Sequence, residues 1–260
     1  MDEAMPGGRF SRPVRRGAVV KRAASGRNVR ALLQHFERVG FALVPRYLGT
    51  SDDGTRDLLS HIDGQAAHYP LAAPYRSAAT LIAVAEAVRA MHDATRGFVP
   101  VEPDAWRHRE VAVPVRIDCV GHHDLAPWNL VFDGRHRVTG IIDWDFAGPS
   151  NRAWDLAYAA HRFVPLSSPR QARAFGWSDE PDRPARLELL ARAYGHGITA
   201  ADLLDLAVVR LSAIAANIEQ QIRLGDPAFA VHREERHADG YREDVRFLLE
   251  QRTALLGGAG

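Results

Sequence analysis

Lysine and cysteine are almost missing from this chain. Lys21 is the only lysine among 33 basic residues, the other 32 being arginines, and Cys119 is the only cysteine. A single cysteine excludes an intramolecular disulfide and a thiolate-held metal cluster. It fits a reducing compartment, so a cytoplasmic location is expected. Long apolar runs are missing too, because Asp205 and Arg210 interrupt the longest apolar helix well below bilayer length. The N-terminus carries charges but no apolar core for a secretory signal, and no membrane partner is expected. A net charge of +1 gives no argument for nucleic acid as a partner. There are no internal repeats, and no low-complexity segment beyond Gly257-Gly258-Ala259-Gly260. With 260 residues, 46% hydrophobic and 25% charged, the chain can bury a large core in one or two domains.

The informative stretch is 122–145. It reads His122-His123-Asp124-Leu125-Ala126-Pro127-Trp128-Asn129, an apolar strand, a turn at Asp133-Gly134, and Ile141-Ile142-Asp143-Trp144-Asp145. Pro127 bars regular helix between Asp124 and Asn129, which leaves a tight loop. Asn129 opens the apolar strand, Asp133-Gly134 turns it, and Val138 to Ile142 returns as the partner. A hairpin that starts at Asn129 brings the far end of its second strand back beside Asn129, and that end is Asp143. One carboxylate and one carboxamide therefore converge, with Asp124 just upstream. Hard oxygen donors in this number suit Mg²⁺, which takes one or two carboxylates and completes its shell with phosphates and water. Asp124 is then free to accept a proton or orient a hydroxyl.

The order His122-x-Asp124 followed by Asn129, then Ile142-Asp143-Trp144, resembles the aminoglycoside phosphotransferase and choline kinase superfamily. Trp154-Asp155-Leu156-Ala157 resembles a further element of that family. The resemblance implies an α+β, protein-kinase-like two-lobed fold. A shortened N-terminal nucleotide-binding lobe would occupy residues 1–64, and a mostly helical catalytic and acceptor-binding lobe 65–260. It implies a small-molecule kinase that moves the γ-phosphate of ATP or GTP to the hydroxyl of a small acceptor. Asp124 would be catalytic, and Asn129 and Asp143 would hold Mg²⁺. Lys21, ending the short strand Ala18-Val19-Val20-Lys21, would meet the nucleotide phosphates, with His61 and Ile62 at the hinge. Asp155 would brace the catalytic loop rather than touch substrate, and His92 would match the histidine closing an equivalent helix. The acceptor pocket would come from the helices of 153–255.

The chain also departs from that pattern. No Gly-x-Gly-x-x-Gly is present, Gly7, Gly8 and Gly17 being the only glycines before Lys21, and the following helix offers only Glu37, near its end, as a partner for Lys21. These gaps keep open an alternative reading, a nucleotide-binding pseudokinase acting as an interaction module. A protein kinase is disfavoured because no Ala-Pro-Glu segment lies between Asp143 and Trp154. A polycationic acceptor would call for a carboxylate-rich pocket, whereas the C-terminal helices balance arginine against acid, and Trp177 offers a stacking surface. His232 and His237 with Glu234 and Glu235 do not form His-Glu-x-x-His, so a charged helix face explains them better than zinc.

In chain order, residues 1–8 are expected to be loose, and Phe10 to Arg22 to form two strands around Arg15-Arg16-Gly17. A helix over Arg27–Val39 precedes a hairpin of Val44–Leu48 and Leu58–Ile62 around Ser51-Asp52-Asp53-Gly54. A Pro-rich linker over 69–75 leads to a helix over Ser77–Thr95, capped by Ser77 and ended by Gly97. An irregular connection over 98–116 and a strand at Ile117–Val120 lead into the catalytic loop. Helices are expected over Ala153–Phe163, Arg183–Tyr194, Ala200–Leu224 and Arg233–Leu255.

Overall fold

The N-terminal half is built on an antiparallel sheet whose side-chain alternation decides what faces the interior. In the computed structural model, which describes residues 3–5, 12–106 and 115–258, five strands form this sheet: β1 (Glu3–Ala4), β2 (Val14–Arg16), β3 (Val19–Ala23), β4 (Tyr47–Thr50) and β5 (Arg56–Ser60). Their spatial order is β1-β2-β3-β5-β4. Gly17, at φ 61°, and Ala18 make the two-residue turn between β2 and β3. Phe10, the expected start of the first strand, lies outside the described residues. Helix α1 (Arg27–Arg38) buries Val29, Leu32, Leu33 and Phe36, the i, i+3, i+4, i+7 set of an amphipathic helix. Its Arg30 reaches the fully buried Asp57 of β5 at 2.9 Å.

The segment after β5 is no free linker. His61 N donates to Ala18 O at 2.8 Å, and β6 (Gln65–Ala66) pairs with β8 (Leu130–Phe132), which pairs with β9 (Val138–Ile141). Gly64 is required there, because a Cβ at φ 139° would lie 2.5 Å from Phe132 O. Helix α2 (Ala78–Ala94) starts at Ser77, whose hydroxyl accepts from Thr80 N at 3.1 Å. Strand β7 (Cys119–Gly121) pairs with β10 (Gly148–Ser150), and the two carry the chain into and out of the stretch 122–147.

The remainder is helical: α3 (Arg152–Phe163), α4 (Pro169–Ala174), α5 (Arg183–Tyr194), α6 (Ala200–Leu224), α7 (Ala230–Glu234), α8 (His237–Glu250) and α9 (Arg252–Leu255). A capping box of Thr199 and Asp202 opens α6 and Gly225 in the left-handed region closes it. The single helix expected over 233–255 is broken, since Arg236 turns left-handed at φ 54° and the chain breaks again at Gln251. Helix α4 was not legible because only Ser168 and Pro169 mark its start. One continuous apolar core runs from Val29 and Phe36 through Leu130 and Trp144 to Leu203 and Leu248, so the two halves share packing. No helix among the described residues is long and apolar enough to cross a membrane.

Candidate active site

Asp155 organises the loop over 122–129 from beneath. It is fully buried on α3, and its carboxylate accepts from His122 N at 2.8 Å, His123 N at 2.8 Å and His92 Nε2 at 3.1 Å. Burial alone would push this carboxyl up, but the His92 hydrogen bond and the neighbouring positive groups outweigh it and hold the acid far below its ordinary range. Tyr194 OH lies 2.8 Å from the other nitrogen of His92, so α2, α3 and α5 converge on one carboxylate. Gly121 has no room for a side chain here, since a Cβ would sit 2.6 Å from Ser150 Cβ and 3.0 Å from Asp155 Cγ.

Above that brace the loop adopts costly backbone. His123 has φ 64°, a left-handed conformation that a non-glycine residue holds only when its surroundings force it. Its carbonyl accepts from Arg210 Nη2 at 2.6 Å. Burial, with Arg210 adding to it, pulls the His123 imidazole down to about 4, so it is neutral at physiological pH. His122 Nδ1 accepts from Asp124 N at 3.2 Å, which leaves Nε2 as the donor to Ile142 O at 2.9 Å. That histidine stitches the loop to the end of the hairpin.

The structure brings Asp124, Asn129 and Asp143 together. Asn129 Nδ2 donates to Asp124 Oδ2 at 2.8 Å and to Asp124 O at 2.9 Å, which leaves its carbonyl oxygen unspent. Ile142 N donates to Asn129 O at 2.9 Å, fixing Asp143 beside the loop. Asp143 is left-handed at φ 62°. Its carboxyl is raised by burial, with Arg22 only partly offsetting the shift. Asp145, two residues on, is buried, and its Oδ1 has no hydrogen-bond donor. This set of amide and carboxylate oxygens fits a hard divalent cation such as Mg²⁺. No group of three or more His, Cys, Asp or Glu among the described residues is arranged to hold an ion, so most ligands would come from phosphate and water.

The cation facing these acids is Arg22, not Lys21. Side chains alternate along β3, so Val20 and Arg22 face the cleft while Lys21, paired with Val14 and Leu58, lies on the opposite face. Arg22 Nη1 lies 3.2 Å from Asp143 Oδ1, and its Nη2 pairs closely with Asp145 Oδ2. Burial lowers the pKa of this guanidinium, and the two aspartates more than restore it. In the sequence the solitary Lys21 is the more conspicuous cation, one position before Arg22. Strand alternation anchored on the buried Leu59 would have found it, since Leu59 pairs with Val20. Glu37 is exposed, with Arg46 at 3.9 Å, and does not reach the site. His61 and Ile62 do line the cleft, where Ile62 packs so closely on Gly140 that a Cβ there would stand 2.6 Å away.

The cleft has a volume of about 1770 Å³ and continues from Arg22 and the hinge past Asp124 to the C-terminal helices. There, Arg162 is buried against Trp128, Tyr158, Phe175 and Tyr241, its guanidinium carbon 5.0–5.8 Å from the four ring centres. Its Nη2 donates to Tyr158 OH and Tyr241 OH at 2.8 Å each. Arg210, also buried, stands 5.2 Å from both Trp154 and Tyr158. A ring face returns about 0.5–2 kcal/mol to a cation, less than the several kcal/mol that desolvating a charge costs. Trp177, by contrast, stacks with Arg186 at 4.5 Å and is buried, so it offers no open stacking surface.

Comparison with known proteins agrees with this geometry. The phosphotransferase enzyme family model matches residues 102–190. The chain is 33% identical over 197 residues to the trifolitoxin immunity protein of Rhizobium leguminosarum bv. trifolii, covering 74% of this chain and 73% of that protein. A choline/ethanolamine kinase family protein from Mesorhizobium loti superposes with a TM-score of 0.62 at 18% identity, over 99% of this chain and 93% of that one. The GDP and kanamycin complex of APH(2")-IIia superposes with a TM-score of 0.56 at 14% identity, over 98% and 93% of the two chains. These two likenesses are likenesses of fold.

Proposed function

From the premise that the chain belongs to the phosphotransferase enzyme family of aminoglycoside phosphotransferases and choline kinases, we propose that it transfers the γ-phosphate of ATP or GTP to a hydroxyl of a small molecule. The observation that carries this reading is the convergence of Asp124, Asn129 and Asp143 at one end of the cleft, held by the hydrogen bonds from Asn129 and His122. A scaffold has no need of all three, which weighs against a pseudokinase.

In this reading Asp124 accepts the proton of the acceptor hydroxyl as its oxygen bonds to the γ-phosphorus. The bond from that phosphorus to the β-phosphate oxygen breaks, and nucleoside diphosphate leaves. Asn129 and Asp143 would hold Mg²⁺, which when bound neutralises charge on the phosphates. Arg22 takes the role first expected of Lys21, a fixed cation at the phosphate end. His61 and Ile62 border the base at the hinge, and His122 and Asp155 keep the loop in register. Most of the rate gain is positioning and charge stabilisation. The relative named for immunity to trifolitoxin supports including toxins among the candidate acceptors.

The test is transfer of labelled γ-phosphate to a library of hydroxyl compounds. Asp124→Asn should bind nucleotide nearly as well as the parent, while turnover falls by about 10²–10⁴. Parent-level turnover in that variant would remove Asp124 from the chemistry.

A further inference from the structure

The far half of the cleft is lined by as many acids as arginines, but they are not paired one to one. Its acids are spent within the protein. Asp244 accepts from His161 at 2.9 Å and from Ser168 N at 2.9 Å, Glu243 pairs with Arg170, Asp239 pairs with Arg236 at 2.8 Å, and Glu235 lies 2.9 Å from His237. The two buried cations are not spent in the same way. Among the described residues Arg162 donates to Tyr158 OH and Tyr241 OH and Arg210 to His123 O and Trp154 O, all uncharged acceptors, and the Nε of each is buried without a hydrogen-bond partner. Both line the cleft, and both flank one ring, with guanidinium carbons 5.0 and 5.2 Å from the centre of Tyr158. Arg162 already fills the aromatic box of Trp128, Tyr158, Phe175 and Tyr241, the type of box that would otherwise receive an ammonium group.

We propose that the acceptor is a hydroxyl compound carrying an anionic oxygen group, carboxylate or phosphate, which docks beside Tyr158 against Arg162 and Arg210. The proposal rests on the kinase reading for the role of the ligand, though not for its binding. Planar guanidinium forks match two-oxygen anions and hold them best where water is excluded. The same two cations repel a polyamine or a quaternary ammonium, so choline-like and aminoglycoside-like acceptors are disfavoured.

Binding is read by thermal shift with saturating Mg-ADP present, so that the phosphate end is already filled. Matched pairs at constant ionic strength serve as probes: gluconate against gluconamide, mandelate against mandelamide, and glucose 6-phosphate against glucose. In at least one pair the anion should bind about tenfold or more tightly than its neutral partner, a difference of about 1.4 kcal/mol. The pair that responds identifies carboxylate or phosphate. Arg162→Gln and Arg210→Gln should abolish the preference, and Arg162→Lys, which keeps the charge, should retain part of it and serves if the glutamine variants do not fold. No preference in any pair, an equal preference in the folded glutamine variants, or tighter binding of kanamycin or choline overturns the proposal. Label transfer from ATP is scored separately. Its failure on every compound removes the kinase reading and leaves the anion preference to be judged by the shifts.

Discussion

Arg22 and Asp143 form an ion pair of 3.2 Å across 121 residues of chain. The contact ties the N-terminal sheet to the end of the β8–β9 hairpin, and the same guanidinium pairs with Asp145. Two carboxylates this close repel each other unless a cation lies between them, and Arg22 supplies it. A nucleotide arriving with its own cation would change what Arg22 faces, from carboxylates to phosphate.

That relationship separates two neighbouring residues. Arg22→Ala should weaken nucleotide binding by about tenfold or more, the scale of a lost charge-assisted hydrogen bond, and should lower turnover with it. Lys21→Ala, on the opposite face of β3, should leave both within about twofold, because a half-buried charge that does not line the cleft contributes little there. Calorimetric titration of nucleotide into both variants checks this, and the reverse ranking would restore Lys21 as the phosphate contact.

Asp155→Ala should cost stability on the order of 3 kcal/mol, because it strands two loop N–H groups and His92 in a buried space. The parent should also lose stability in acid. The Asp155 carboxyl is held well below its unfolded value, so its contribution is present above about pH 4 and shrinks as pH falls toward the depressed folded value. Urea unfolding of parent and variant between pH 7 and pH 3 measures both effects, and parent-like stability with only activity lost would move Asp155 into the chemistry.

Much of this site was legible in the sequence because its parts are close in the chain. Asp124, Asn129 and Asp143 sit on one loop and one hairpin, so turn chemistry and strand length bring them together without long-range packing. Helices such as α2 and α6 carry their caps, Ser77 and Thr199, beside a clear apolar period. Arg22 was not legible for a simple reason: a shift of one residue in a strand turns every side chain to the other face. The role of Arg162 depends on rings from Trp128, Phe175 and Tyr241, which come together only through tertiary packing. The break of the last helix at Arg236 has no proline or glycine to announce it.

His123 gives a second acid-side effect with its own window. Its imidazole is held neutral down to about 4 in the folded protein, against an ordinary value near 6.5, chiefly by burial and then by Arg210. Between those two values the unfolded chain takes up a proton that the native state refuses, so stability falls as pH drops from about 6.5 to about 4. The residue keeps some solvent exposure, which screens the effect, so the loss attached to it is about 1–3 kcal/mol. His123→Gln should flatten the stability profile in that window and leave the steeper loss below pH 4, the part assigned to Asp155. An unchanged profile would mean that His123 is protonated in the native state.

The last prediction concerns Asp143, which holds a left-handed backbone at the wall of the cleft. Asp143→Ala removes one of the two oxygen donors proposed for Mg²⁺ and relaxes a strained φ very little, since alanine is also disfavoured there. Arg22 keeps Asp145 as a partner, so the sheet should stay attached and the melting temperature should change little. What should vanish is the dependence on metal. In the parent, Mg²⁺ should tighten nucleotide binding by about tenfold or more. In the variant, affinities with Mg²⁺ and with EDTA should agree within about twofold, because an amide oxygen alone is a weak ligand for a strongly hydrated cation. Asp145→Ala provides the contrast: its Oδ1 lacks a hydrogen-bond donor, but Oδ2 is spent on Arg22. It should lower stability more than it lowers the Mg²⁺ response. Calorimetry of ATP binding to the three proteins, each with and without Mg²⁺, decides between these carboxylates, and a full Mg²⁺ response in Asp143→Ala would transfer the metal role to Asp145.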